Sequence, residues 1–117
     1  MRARFAAYVS QAVLFLVNTT HPENDHIDGA EGSTLEQDIA ATCNKCRFLR
    51  LEIVERKGGS TEDEAYIRFN AYYRVVGQLD QDDDDQPVQL LTELSRFKRL
   101  DGRWLYHNAV EADAKVL

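Results

Sequence analysis

Seven side chains in this sequence carry the groups that acid–base or ligand-anchoring chemistry uses: Arg4, Tyr8, His21, Glu93, Ser95, Trp104 and Tyr106. Side chains alternate along a strand, so Glu93, Ser95 and Phe97 share one face, and Trp104 and Tyr106 share a face of the next strand. If Phe97 and Trp104 point into the core, Glu93 points there too. A carboxylate in an apolar setting is costly unless paired. Arg4 is the expected partner, through a bidentate contact between first helix and sheet. Two readings follow. In one, Glu93 is a general base or ligand anchor at a cavity floor, with Tyr8 or His21 as the acid. In the other, Arg4 and Glu93 form a structural ion pair, and removing one partner of such a pair costs about 3–5 kcal/mol.

Other residues with chemical potential are set against plainer roles. His21 is either a base or a loop residue whose ring bonds nearby backbone. His26 and His107 have no companions at ligand spacing in the sequence. Cys43-Asn44-Lys45-Cys46 is a single C-x-x-C, half of the four-ligand set that structural zinc wants. It also lacks the βαβ setting of a redox motif. The acidic run Asp82 to Asp85 lacks the spaced ligands and glycine of a calcium loop. No metal site and no cofactor are therefore expected. There is no P-loop, dinucleotide-binding glycine turn, nucleophile elbow or H-E-x-x-H, so the common enzyme classes are disfavoured. Tyr66, Arg68, Tyr72 and Arg74 form an aromatic and cationic stripe on one strand face. That stripe suits a protein interface, and it equally suits a solvated face with cross-strand pairs.

The elements that must position these groups are legible in the hydrophobic period. Phe5, Val9, Ala12, Val13, Leu16 and Val17 recur at helical spacing, which predicts one helix from the start to about Asn18–Thr20, ended by Pro22. The polar stretch from Glu23 to Gly32 reads as a loop with room for one short helix. Ser33 and Glu36 offer a capping box for a second helix over about Thr34 to Cys46, burying Leu35, Ile39 and Cys43 or Cys46. The period then becomes two. Strands are predicted over Leu49–Ile53, Glu64–Val76, Val88–Leu100 and Arg103–Val110. Ala65, Ile67, Phe69, Ala71, Tyr73 and Val75 share one face of the second. The turns are Lys57-Gly58-Gly59-Ser60, the acidic tip Asp80 to Gln86, and Asp101-Gly102, a two-residue hairpin signal. Residues after Glu111 are expected to fray. Helices followed by hairpin-linked strands imply an α+β fold with a curved antiparallel four-stranded sheet and helices in its concave face.

Size and charge narrow the classes. A chain of 117 residues is one domain, 1–117, by the usual prior. Its net charge of −6 argues against a phosphate-backbone binder, so no nucleic-acid partner is expected. No apolar run reaches the length of a membrane span. The apolar stretch after Arg2 and Arg4 lacks the small-residue cleavage site of a signal peptide. A cytoplasmic location, or an organelle stroma or matrix, is expected rather than secretion.

The opening Met1 to Tyr8, the segment Thr19-Thr20-His21-Pro22, and Glu93-Leu94-Ser95-Arg96-Phe97 followed by Asp101-Gly102-Arg103-Trp104-Leu105-Tyr106 resemble the YchJ-like family. They resemble in particular its middle domain, of the nuclear transport factor 2-like superfamily. The resemblance implies a cone-shaped α+β fold with a cavity between helices and sheet, and an uncharacterised function. Many relatives flank this domain with zinc-binding SEC-C segments, whose Cys-Pro-Cys-Gly runs are not among these residues. Two differences stand out: Phe5 where the family often has Tyr, and the acidic run. The expectation is a binding or interaction module whose pocket, with Arg4, Tyr8, His21, Glu93, Ser95, Trp104 and Tyr106, takes a small ligand or peptide segment. The alternatives are a cofactor-free hydrolase or isomerase using Glu93 with Tyr8 or His21, and a homodimer through the outer sheet face.

Overall fold

In a computed structural model, residues 1–24, 34–76 and 86–117 are described. Three helices, α1 (Arg2–Ser10), α2 (Val13–Asn18) and α3 (Leu35–Lys45), precede four strands: β1 (Cys46–Gly58), β2 (Glu64–Val75), β3 (Gln89–Leu100) and β4 (Arg103–Val116). The sheet is an antiparallel meander in the order β1-β2-β3-β4. This is the expected α+β architecture. Among the described residues no helix is long and apolar enough to cross a membrane. The expected acidic hairpin tip lies, but for Gln86, outside the described residues, as do His26 and most of the Glu23–Gly32 loop.

The expected single first helix is two. Gln11 takes a left-handed conformation, φ 59° and ψ 37°. The Ala12 N–H donates to Ala7 O at 2.8 Å and the Gln11 N–H to Tyr8 O at 3.3 Å. That pair of bonds is a Schellman ending. Its usual marker is glycine, so a glutamine there left no sequence signal. The turn folds α2 back so that Leu16, fully buried, joins Ala7, Ile39 and Cys43 in a small helical core.

The second helix starts where expected, but its box is one residue later. The Gln37 N–H donates to Thr34 Oγ1, and the Thr34 N–H to Gln37 Oε1. The sequence satisfies the box pattern in two consecutive registers, and α3 begins on the later one.

Two strands depart from their predicted span. β1 runs well beyond Leu49–Ile53 and carries two irregularities, between Phe48 and Arg50 and between Ile53 and Glu55. Each bends the strand and shifts its faces by one residue. Phe48 therefore pairs with Tyr73, while Leu49 is exposed. β4 does not fray after Glu111: Glu111 to Val116 pair with β3, two register shifts allowing it to curve. The Asp101-Gly102 turn forms as expected, both residues at positive φ, 53° and 80°.

The chain after α2 closes the free edge of β4. The Tyr106 N–H donates to Thr19 O at 2.8 Å, and the His21 N–H donates to Tyr106 O at 2.7 Å. This single parallel bridge, Thr20 to Tyr106, anchors the helical layer to the far edge of the sheet. Leu16 sits at the centre of that layer with no exposure. Leu16→Ala should lower stability by about 3–5 kcal/mol in urea denaturation. A loss under about 1 kcal/mol would mean that the helical core is not packed as described.

Candidate functional site

Between α1 and the inner sheet face lies a cavity of about 180 Å³. α1 contributes Arg4 and Tyr8, β1 Phe48, β2 Phe69, β3 Glu93 and β4 Tyr106. A further hollow of about 340 Å³ abuts it under α3, sharing Arg4, Tyr8, Thr42 and Tyr106 as a common wall. The helical period of α1 sets Arg4 and Tyr8 one turn apart on its sheet-facing side. The strand period of β3 sets Glu93 and Ser95 on the same inner face, opposite Phe69 and Ile67.

The expected Arg4–Glu93 ion pair does not close. Nη1 of Arg4 donates instead to Leu16 O at 3.1 Å and to Thr19 Oγ1 at 2.6 Å. The guanidinium stacks over the Tyr106 ring, 4.8 Å from its centroid. The end of α2 offers carbonyls that no helical N–H can satisfy, and a buried guanidinium is a natural donor to them. Glu93 is held by hydroxyls: Ser95 Oγ donates to Glu93 Oε2, and Tyr106 Oη donates to the same oxygen at 3.1 Å. Tyr106 is the middle of the relay, its ring under the cation and its hydroxyl on the anion.

Burial governs the acid–base properties here. It lowers the affinity of Arg4 for its proton, which Tyr8, Tyr106 and Glu93 act to restore. It raises the Tyr8 phenol, with Arg4 opposing. It raises Tyr106 far above the ordinary phenol range, and the neighbouring Glu93 charge and hydrogen bond push the same way. Tyr73 is raised mainly by burial as well.

Phe48, which the sequence reading did not single out, is the aromatic hub of this wall. Its ring lies 5.9 Å from Phe5, 5.4 Å from Tyr8 and 5.8 Å from Tyr73. An irregularity in its own strand hid it, because the extra residue Leu49 sets the inner positions Phe48 and Leu51 three apart and breaks the alternation.

Two expected members of the site lie elsewhere. Trp104 shares a face with Tyr106 but sits next to the hairpin turn, at the end of the sheet. It is 43% exposed, with the Arg99 guanidinium 5.2 Å from its ring. It lines a different hollow, with Phe97, Ile67 and Phe15. His21 is buried beside β4, against His107 and Glu23, and does not line the Glu93 cavity. Its ring is held below the usual histidine range by burial and by His107 and Lys98, with Glu23 opposing.

The outer stripe is engaged within the chain. Arg68 pairs with Glu111 at 3.1 Å across Leu94, which explains why an outward-facing leucine is buried. Tyr72 Oη donates to Glu52 at 2.7 Å and carries Arg50 over its ring. Tyr66 Oη donates to Glu64 at 3.2 Å, and Arg74 Nε to Gln86 O at 3.1 Å. Cys43 and Cys46 are free thiols, both raised chiefly by burial, so neither has the thiolate character of a reactive cysteine.

Comparison with known proteins places this geometry. The family model described as YchJ, middle NTF2-like domain, matches residues 1–109. A UPF0225 protein of Vibrio vulnificus (strain YJ016) is 34% identical over 108 residues, which are 91% of this chain and 54% of that protein. A UPF0225 protein of Pectobacterium carotovorum is 32% identical over 110 residues, 94% of this chain and 63% of its own length. The chain thus spans about half to two thirds of these relatives. A SEC-C motif containing protein from Rhodopseudomonas palustris, solved in solution, matches with a TM-score of 0.72 and 26% identity, over 97% of this chain and 76% of that one. One from Psychrobacter arcticus matches in fold with a TM-score of 0.67 at 22% identity, over 92% of this chain and 56% of that one.

Raised phenols give a pH dependence with a definite sign. A group that holds its proton more tightly when folded stabilises the fold at all pH below its unfolded value, near 10 for tyrosine. That stability is lost as the pH climbs past about 10. Tyr8, Tyr73 and Tyr106 should therefore stay protonated above the ordinary phenol range in an ultraviolet titration, and the protein should lose stability in alkali. Tyr106→Phe should flatten that loss while weakening the fold at neutral pH. Normal ionisation of all five tyrosines in the native protein would refute the burial of this cluster.

Proposed function

We propose that this chain, which belongs to the YchJ middle NTF2-like domain family, is a binding module whose cavity takes a small, mainly apolar ligand with one hydrogen-bond donor. One observation carries the reading: an apolar hollow of about 180 Å³ whose wall includes a carboxylate already oriented by two hydroxyls. Binding sites are mostly apolar with a few placed polar groups. An engineered apolar cavity of about 150 Å³ takes benzene. A single ring is therefore the right scale, and Glu93 is the acceptor for its donor.

The catalytic alternative uses the same residues. Glu93 and Tyr8 line one cavity, so a base and an acid could face one substrate. His21 drops out of that scheme, since it does not reach the cavity. The raised Tyr8 phenol makes it a weak acid at neutral pH, which favours binding over catalysis. Homodimerisation through Tyr66, Arg68, Tyr72 and Arg74 has less support, because each already has a partner within the chain.

Benzyl alcohol serves as the test ligand, with benzene as its donor-free counterpart. Benzyl alcohol should raise the melting temperature and bind more tightly than benzene. Glu93→Gln should weaken benzyl alcohol about tenfold, the difference between a charged and a neutral acceptor. Ala71→Leu, which fills the hollow from β2, should abolish binding of both while keeping the fold. Unchanged binding in Ala71→Leu would remove the cavity from the function.

A further inference from the structure

A separate group of side chains meets along β4, outside the Glu93 cavity. His21 and His107 are far apart in sequence, but the bonds between Thr19, His21 and Tyr106 draw the post-helical segment against the strand. Asn24 Nδ2 donates to His107 O at 2.7 Å and fixes the same register. The two imidazoles lie 5.1 Å apart between centroids. Glu23, two residues on, turns its carboxylate toward them. One ligand atom from each of His21, Glu23 and His107 falls within 4.8 Å of the others.

His107 supplies the observation that points to a ligand. It is 7% exposed, yet its Nε2 has no hydrogen-bond partner among the described residues. The Glu23 Oε2 oxygen stands at 3.7 Å, too long for a hydrogen bond. Buried polar atoms are normally satisfied, so an orphan nitrogen facing a carboxylate and a second imidazole calls for an explanation.

We propose that His21, Glu23 and His107 form a binding site for a divalent transition-metal ion of the zinc class. Two imidazoles and a carboxylate suit such ions, whereas calcium and magnesium want oxygen ligands alone. Three protein ligands with a fourth position left to water is the open zinc arrangement. Bonds of about 2.0–2.2 Å bring the three atoms closer together than they now stand, and the exposed Glu23 side chain can swing to close the gap.

The surrounding contacts fit. Nδ1 of His107 lies 3.0 Å from Asn108 Oδ1, which also accepts from Arg96 Nε at 3.1 Å. When His107 Nδ1 carries the proton and donates it to Asn108, the Nε2 lone pair is free for a metal, with the outer support that ligating histidines generally have. Arg96 Nη2, 3.1 Å from the same Nδ1, favours the opposite tautomer, so metal binding at Nε2 gives up that contact. Nδ1 of His21 accepts the Glu23 N–H at 3.0 Å. Ligation by that ring gives up this bond by either nitrogen: at Nδ1 the metal takes the lone pair, and at Nε2 the proton must move to Nδ1. Arg96 and Lys98 bring positive charge near the site, so affinity rests on the coordinate bonds and on Glu23.

The whole chain should bind one equivalent of zinc chloride in calorimetry. Losing a direct ligand must cost at least what losing a ligand's support costs, so Glu23→Gln should weaken binding by at least about tenfold. His107→Ala and His21→Ala should abolish it, with circular dichroism confirming that they fold. Cobalt(II) should bind without the thiolate charge-transfer absorption that Cys43 and Cys46 would produce. Absence of zinc binding, equal affinity in Glu23→Gln, or a thiolate signature would overturn the assignment. Glu23 is largely exposed, so its variant decides the matter even if a histidine variant misfolds.

Discussion

A charged guanidinium buried under two helices must find acceptors, and where Arg4 finds them organises this molecule. Arg4 is 8% exposed, and its bonds run to the carbonyl of Leu16 and the hydroxyl of Thr19, at the end of α2. Those contacts hold α1 and α2 as a unit. They also place the cation over Tyr106, whose backbone takes up the chain that leaves α2. One side chain thus ties the helical layer to β4. Breaking one partner of such a buried set costs much more than the set adds to net stability.

The same arrangement separates two chemistries. On the inner sheet face, Tyr106 joins Arg4 to Glu93 and leaves a carboxylate fixed at the wall of an apolar hollow. One residue further along β4, His107 faces the segment that Arg4 helps to position, and meets His21 and Glu23. The register shift opposite Arg96 and Phe97 accommodates His107 as an extra residue in β4. Bulges re-aim side chains, and here the bulge lies beside the histidine pair.

The outer sheet face is quieter. Cross-strand ion pairs and hydroxyl–carboxylate bonds occupy its tyrosines and arginines. Exposed pairs of this kind contribute little individually, but they cover Leu94 and keep the open face polar. The inner and outer faces divide the work: apolar residues with a few oriented polar groups inside, paired charges outside.

Much of this was legible in the residues. The change from helical to alternating period located the boundary between layers, and Asp101-Gly102 located the last hairpin, because both signals are local. The inner positions of β2 and the pairing of Glu93 with Ser95 on one face followed from alternation alone. What alternation could not carry were its interruptions. Irregularities in β1 brought Phe48 inward and put Leu49 outside, and a left-handed Gln11 divided a helix that its period read as continuous. The place of Trp104 and the true partners of Arg4 depended on how the helices pack on the sheet. The meeting of His21 with His107 depended on an edge bridge between residues 86 apart in number. Spacing along a chain records neighbours within one turn or one strand. Which distant groups share a cavity or a ligand is set by packing, and that information exists only once the layers have closed.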